Sequence, residues 1–358
     1  MPLEASGAFT LLKEYSGTAF FDGFDFFTDR DPTNGCVDFV NRSTAFASGL
    51  AGVDANSGQV FMRVDHMMTL GEPRMAVSGS ATPPPPPRRS VRVTSIDTYD
   101  PKNLSGSADG FGAVLAVLDL THMPTGCGTW PAFWLNSGKG HWPQYGEIDI
   151  IEGVHETTHT QTTLHTSTGC QQAEVPTTNF TGEWAQHAGH AATNCYIHAY
   201  SPKGNLGCPI AGPPNSMGTP FNANGGGVYA MLWTHHQPGP DGRSGEKKMW
   251  FWDRNHIPAD LQPHLAPGPQ RDSTVDQPGP DPRSWGKPYA LFWSDEALCP
   301  ATHFEQQRII FDITLCGAWG GSSFAAACPA FAPANATEPE SLAACEAYVA
   351  NNPVSVST

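Results

Sequence analysis

The stretch from Gln144 to Val154 reads QYGEIDIIEGV and sets three carboxylates, Glu147, Asp149 and Glu152, among isoleucines. An unpaired charge inside an apolar run is expensive to desolvate. Only 15% of the 358 residues are charged, so acids at this density imply a use. In a regular strand Glu147 and Asp149 share a face, while Glu152, five residues on from Glu147, points to the other. One extra residue in a β-bulge at Ile150 or Ile151 restores the parity, turning all three acids to one face and the isoleucines to the packed one. With the bulge, Glu147 and Glu152 are about four strand steps apart, roughly 13 Å between Cα atoms, and inward-leaning side chains bring the carboxyls to about 5–6 Å. At that separation one carboxylate can attack an anomeric carbon while the other protonates the leaving oxygen, with retention of configuration. Asp149 raises the cost of ionising its neighbours, so one acid stays protonated near neutral pH while another is anionic. Acids at alternate strand positions are more commonly a solvated outer face. Trp130, Trp134 and Trp142 lie just upstream, and although each alone is more often core, their flat faces suit stacking on pyranose rings.

The elements that must hold these residues are β-strands. The 37 Gly and 33 Pro cut helices short, and Thr, Val, Phe and Trp suit a pleated, half-buried surface. An all-β chain of this length fits one large domain, residues 1–358, with long loops. The formal charge of −15, from 19 basic and 34 acidic residues, leaves no positive stripe for nucleic acid or an anionic membrane surface. A neutral partner is expected. No apolar run approaches the roughly 20 residues of a membrane span, and residues 1–20 lack the features of a signal peptide. This reads as a mature form with a Met added, or as a chain that stays inside the cell. Nine cysteines, at 36, 127, 170, 195, 208, 299, 316, 328 and 345, fall in no paired C-x-x-C pattern with zinc spacing, which favours disulfides or buried thiols, with at least one unpaired. No D-x-D-x-D-G loop points to calcium. Sequons at Asn41, Asn103, Asn179 and Asn335, together with the cysteines, favour a secreted or cell-wall-associated protein.

Along the chain, residues 8–45 are aromatic-rich with turn residues between, reading as strand, loop and strand. Pro83 to Pro87 form a surface insertion at about 80–90 that cannot join a sheet centre. Strands are expected at SVRVTS (90–95), FGAVLAVLDL (111–120), TWPAFWLN (129–136), GGGVYAMLWTHH and KKMWFWDRNHI, then at YALFW and RIIFDITL after a proline-dense loop at about 258–288. There is no internal repeat. The only helical candidate is PESLAACEAYVANN, with Leu342, Cys345 and Val349 on one face.

Taken in order, TGCGTWPAFWLNSG, WPQYGEIDIIEGV, TTLHTSTGC, NANGGGVYA, SWGKP and CGAWGG closely resemble the fungal branch of family-sixteen glycoside hydrolases, the laminarinase-like endo-β-1,3(4)-glucanases. The resemblance runs from about residue 14 to 353. It implies a concanavalin-A-like β-jelly-roll sandwich of two antiparallel sheets, with a β-glucan held on the concave one. By the same resemblance Glu147 matches the nucleophile, Asp149 the assisting carboxylate and Glu152 the general acid/base. Trp134 and Trp319 match aromatics that contact sugar, and His165 matches a histidine on the adjacent strand, either structural or touching substrate. Three features depart from the pattern. Ala318 stands where the family usually has Asp, which weakens a sugar-hydroxyl contact or alters chain-length preference. The proline insertion is unusual, and YVANNPVSVST stands where relatives continue into a final strand, an atypical end after 340 that would leave a sheet edge or core seam open. The implied activity is retaining endo-hydrolysis by a monomer without cofactor or metal. A cell-wall glucan transglycosylase and a non-catalytic, lectin-like glucan binder are the alternatives on the same sandwich.

Overall fold

The alternation of RIIFDITL and the bulged parity of EIDIIE both require one sheet with a packed and an open face. The computed structural model, which describes residues 9–68, 86–104, 111–265 and 278–353, contains that sheet. It has eight antiparallel strands in the order Phe24–Phe26, Arg92–Ser95, Gln307–Leu315, Thr129–Ser137, Glu147–Glu152, Gln161–His165, Ile210–Ala211 and Glu183–Trp184. A second antiparallel sheet stacks on it, in the order Ala290–Asp295, Arg243–Asp253, Gly227–His235 and Gly112–Leu120. Phe133, Leu135, Ile148, Ile151 and Leu164 of the first sheet pack with Tyr229, Met231, Trp233 and Met249 of the second to form the main core. The chain is a β-sandwich, as expected.

Strand Gly227–His235 is buried along nearly its whole length because its other face is covered too. Leu261 and Trp285, from the proline-dense segment, pack on Val228, Ala230 and Trp250, and the Trp285 indole N–H donates to Asp260 Oδ1 at 3.0 Å. Residues 266–277 of that segment lie outside the described residues, as do Pro83–Pro85 of the proline run. Strand Gly112–Leu120, whose apolar run FGAVLAVLDL reads as a buried strand, is a half-buried edge. One small pair, Val37–Phe39 with Arg88–Ser90, is parallel.

Four short α-helices are present among the described residues, where the sequence pointed to one. Helix Arg42–Ala47 begins at Asn41, whose side chain accepts from Thr44 N; at six residues it is too brief to leave a periodic signal. Gly218–Ala223 and Ser322–Ala327 are equally short. The expected helix spans Glu338–Asn351, opened by a capping box between Thr337 and Glu340. Its Cys345 and Val349 pack on Leu315, Cys316 and Phe324, so a helix covers this seam. Gly128 (φ +88) permits the approach, since a Cβ there would lie 2.6 Å from Val349 Cγ2. The buried Arg88 guanidinium donates to Val349 O, Ala350 O and Asp65 O, and the disulfides Cys127–Cys328 and Cys316–Cys345 close the region. Cys170–Cys299 and Cys195–Cys208 are also paired, leaving Cys36 as a buried free thiol.

The bulge falls at Ile150. Ile151 pairs with Phe133 and Asp149 with Trp134, leaving Ile150 without a partner on that strand. Its carbonyl is satisfied from the other side: Thr162 Oγ1 lies at 3.1 Å and Tyr289 OH at 3.2 Å, with the two hydroxyls 2.7 Å apart. Ile148, Ile150 and Ile151 are all at most 3% exposed, each contributing about 2 kcal/mol by burial. A slip of one residue would forfeit that and drive carboxylates into the core, so the register is strongly specified. Combining Thr162→Val with Tyr289→Phe leaves, of the side-chain hydroxyls at the Ile150 carbonyl, that of Thr160 at 3.5 Å. We expect about 2 kcal/mol of lost stability in urea denaturation together with reduced turnover; an unchanged midpoint would show that the bulge does not need these hydroxyls.

Candidate active site

Strand pairing places the acids in rows across the open face. Asn136, Glu147 and His165 form one row, Trp134, Asp149 and Thr163 the next, and beyond the bulge Asp312, Ala132 and Glu152 a third. Side chains directly opposite in antiparallel strands share a face, so Glu147, Asp149 and Glu152 all look outward from the core. Asp149 is 3% exposed at the floor, and the two glutamates are half-buried on either side.

Each glutamate receives an indole N–H. Trp142 Nε1 donates to Glu147 Oε2 at 3.0 Å, and Trp130 Nε1 to Glu152 Oε1 at 2.9 Å. Trp130 is 8% exposed and meets Trp319 edge to face at 5.6 Å, whereas Trp142 is 43% exposed. Both tryptophans thus reach the acids through their polar edges, a role that the flat-face argument from sequence did not contain. Trp319 sits half-buried on the turn Gly317–Gly321, beside the exposed Ala318. Trp134 is half-buried, with the Arg92 guanidinium 5.0 Å from its ring centroid. His165, 6% exposed, holds Nε2 3.2 Å from Asp149 Oδ2 and Nδ1 2.7 Å from Asn205 Oδ1.

Burial dominates the electrostatics. It pushes Glu147 up to about 8, with the Asp149 charge adding to the rise and His165 opposing it. Glu152 is likewise pushed up to about 8, first by burial and then by Asp149. Asp149 is raised well above the usual carboxylate range by burial and by Asp312. Asp312 is itself raised to about 6 by burial, with Arg92, 3.8 Å away, pulling it back. A cluster of this kind releases protons stepwise as a unit, so it offers an acid and an anion at once near neutral pH. Ligand-type atoms of Glu147, Asp149 and His165 lie within 4.8 Å of one another.

Asp312, Arg92 and Asn205 were not singled out from sequence. Alternation in RIIFDITL does place Asp312 on the face of Arg308 and Thr314, and SVRVTS does the same for Arg92. Only strand order puts these two next to the acids. Asn205 lies in a loop and carries no periodic signal.

Half-buried, partly protonated glutamates that each accept an indole N–H, with a buried aspartate between them, suit acid–base and nucleophilic work at a glycosidic bond, the chemistry of the glycosidases. The chain belongs to glycoside hydrolase family 16: the family model described as XgeA-like, catalytic GH16 domain matches residues 24–357. A probable glycosidase of Schizosaccharomyces pombe is 34% identical over 98% of this chain and 67% of its own length. A probable endo-1,3(4)-beta-glucanase of Aspergillus niger is 37% identical over 98% of this chain and 38% of its own. The chain therefore spans two thirds of the first relative and well under half of the second. Among solved structures, an elongating family 16 beta-1,3-glucosyltransferase superposes with a TM-score of 0.70 at 34% identity, covering 95% of this chain and 93% of the other. Laminarinase 16A from Phanerochaete chrysosporium, with 6-O-glucosyl-laminaritriose in both donor and acceptor sites, gives 0.68 at 32% identity over 96% and 93%.

The raised glutamates make a stability prediction. Unfolded, they ionise near 4.5; folded, at about 8. Between those values unfolding releases protons, so stability falls as pH rises through the window. Glu147→Gln removes one such ionisation and is expected to raise the melting temperature at pH 8 while leaving it unchanged at pH 4. Scanning calorimetry at both pH values checks this; an equal gain at the two would tie the effect to packing instead.

Proposed function

We propose that this domain cleaves internal bonds of β-1,3 or mixed β-1,3/1,4 glucans by double displacement with retention of anomeric configuration. The observation that carries the reading is the bulge at Ile150, which sets Glu147 and Glu152 on one open face with Asp149 between them. In the anionic form Glu147 attacks the anomeric carbon. The carbon–oxygen bond to the departing chain breaks as Glu152 gives that oxygen its proton; Glu152 then takes a proton from water, whose oxygen bonds to the anomeric carbon as the bond to Glu147 breaks and frees its carboxylate. Burial keeps the proton on Asp149 and thereby limits the charge between the two glutamates. Trp134 and Trp319 supply aromatic faces for the glucan, while Trp130 and Trp142 orient the acids. His165 borders the nucleophile. Ala318 leaves the position beside Trp319 without a polar side chain, which bears on chain-length preference. All these groups come from one chain, so a monomer suffices and the reaction needs no cofactor.

Secretion and glycosylation belong to the same reading. Four disulfides call for an oxidising compartment, and the four sequon asparagines are all exposed. A second reading, glucan transglycosylation, is favoured by the TM-score of 0.70 to an elongating glucosyltransferase. The same acids serve both, with a sugar hydroxyl replacing water in the second step. Incubation with laminari-oligosaccharides decides between them: products longer than the substrate mean transfer, and reducing ends rising with each cleavage mean hydrolysis.

The experiment for the mechanism is NMR of the fresh products from laminarin and lichenan, which are expected to have the β-configuration; α-products would refute double displacement. Glu147→Gln should bind laminarin and leave it uncut. Glu152→Gln should lose about 10²–10⁴-fold on glucan, yet still form the glycosyl-enzyme from an aryl glycoside whose leaving group needs no proton.

A further inference from the structure

Cys195 and Cys208, paired 13 positions apart, close a loop that lies along the end of strand Gln161–His165. Thr166 N donates to Cys195 O at 2.9 Å, Ile197 N to Thr166 O at 3.2 Å and Cys208 N to Leu164 O at 3.2 Å. Gly207 (φ +64) makes the approach possible: a Cβ there would lie 2.5 Å from Leu164 O and 2.9 Å from His165 Cε1. This close fit delivers Asn205 to His165, oxygen to Nδ1, at 2.7 Å.

A side-chain carbonyl oxygen can only accept, so the contact calls for a proton on Nδ1. The second ring nitrogen then lies 3.2 Å from Asp149 Oδ2, a buried oxygen that no aligned hydrogen bond reaches, and two bare acceptors cannot rest against each other in a buried site. We propose that Asn205 is a positioning residue: by accepting from His165 Nδ1–H it obliges Nε2 and Asp149 Oδ2 to hold one proton between them, which keeps a further negative charge away from Glu147 and Glu152. The proposal rests on the reading of those two glutamates as nucleophile and acid/base.

The groups that face His165 are mostly carboxylates. Glu147 is directly across and Asp149 one pair further on. Glu152 feels the imidazole as well, and Asp312, with Arg92 beside it, acts on Asp149. The loop itself also carries two exposed titratable groups, His198, whose Nδ1 is 3.0 Å from Gly204 O, and Lys203. Without the acceptor at 205, His165 can carry its proton on Nε2 and donate it to an ionised Asp149, and the proton formerly shared leaves to water. The added negative charge holds Glu147 and Glu152 protonated to higher pH. Glu147 must be ionised and Glu152 protonated for turnover, so both limbs of the kcat/KM profile move upward.

The test uses Asn205→Ala, together with Gly207→Ala, which displaces the loop without touching Asn205. Both are expected to raise the two limbs by about half a pH unit to one unit. In nitrogen-15 spectra of histidine-labelled protein, with His165 assigned by its loss in His165→Gln, the parent should carry a proton on Nδ1 and Asn205→Ala on Nε2 alone. Asn205→Asp, which keeps an acceptor oxygen in place, should retain the Nδ1 proton. A parent His165 with Nδ1 bare, or limbs that do not move in Asn205→Ala, overturns the proposal. The spectra need no turnover, so an inactive parent would defeat the functional reading while leaving the tautomer assignment to be decided by itself.

Discussion

Ile150 is one residue too many for its strand, and the rest of the site depends on that surplus. Without it Glu152 would point into the core, and one of the isoleucines would point to water. The molecule accommodates the surplus because the unpaired carbonyl finds two hydroxyls, one from the neighbouring strand and one from Tyr289 beside the opposite sheet. The bulge is thus fastened through the core, and the reactive side of the strand is positioned from its apolar side.

Burial then supplies the protons. A carboxylate on an exposed strand would be ionised at neutral pH and useless as an acid, whereas here desolvation is the largest influence on all three. The indole N–H groups of Trp130 and Trp142 counter it in part and hold each glutamate in one orientation. Farther out, Arg92 lies against Phe27, Trp134 and Asp312, placing a cation behind the cluster without neutralising it. Removing a charge here changes the proton balance of its neighbours, which is why the acids act as a unit.

Much of this was legible in the sequence because strand parity is a rigid rule. EIDIIE demands a bulge if its acids are to act together, and RIIFDITL and TWPAFWLN declare their faces through alternation. The C-terminal helix was equally legible, since Leu342, Cys345 and Val349 keep helical spacing. What alternation cannot carry is adjacency between distant segments. Arg92 meets Asp312 only through strand order, and Asn205 reaches His165 only because a disulfide loop and Gly207 bring it there. The short helices at 42, 218 and 322 arise from local caps and tertiary packing, too brief for periodicity. The tryptophans were legible as aromatic surface, but the direction of an indole N–H is a property of the fold.

The four cystine links differ widely in span, from 13 to 201 positions. A nascent chain that has emerged as far as residue 208 carries five thiols, at 36, 127, 170, 195 and 208, of which only the last two are each other's final partners. Cys170 must wait for residue 299 and Cys127 for residue 328, while Cys36 must never pair. Any bond formed early among those three has to be undone by thiol–disulfide exchange before the native links can close.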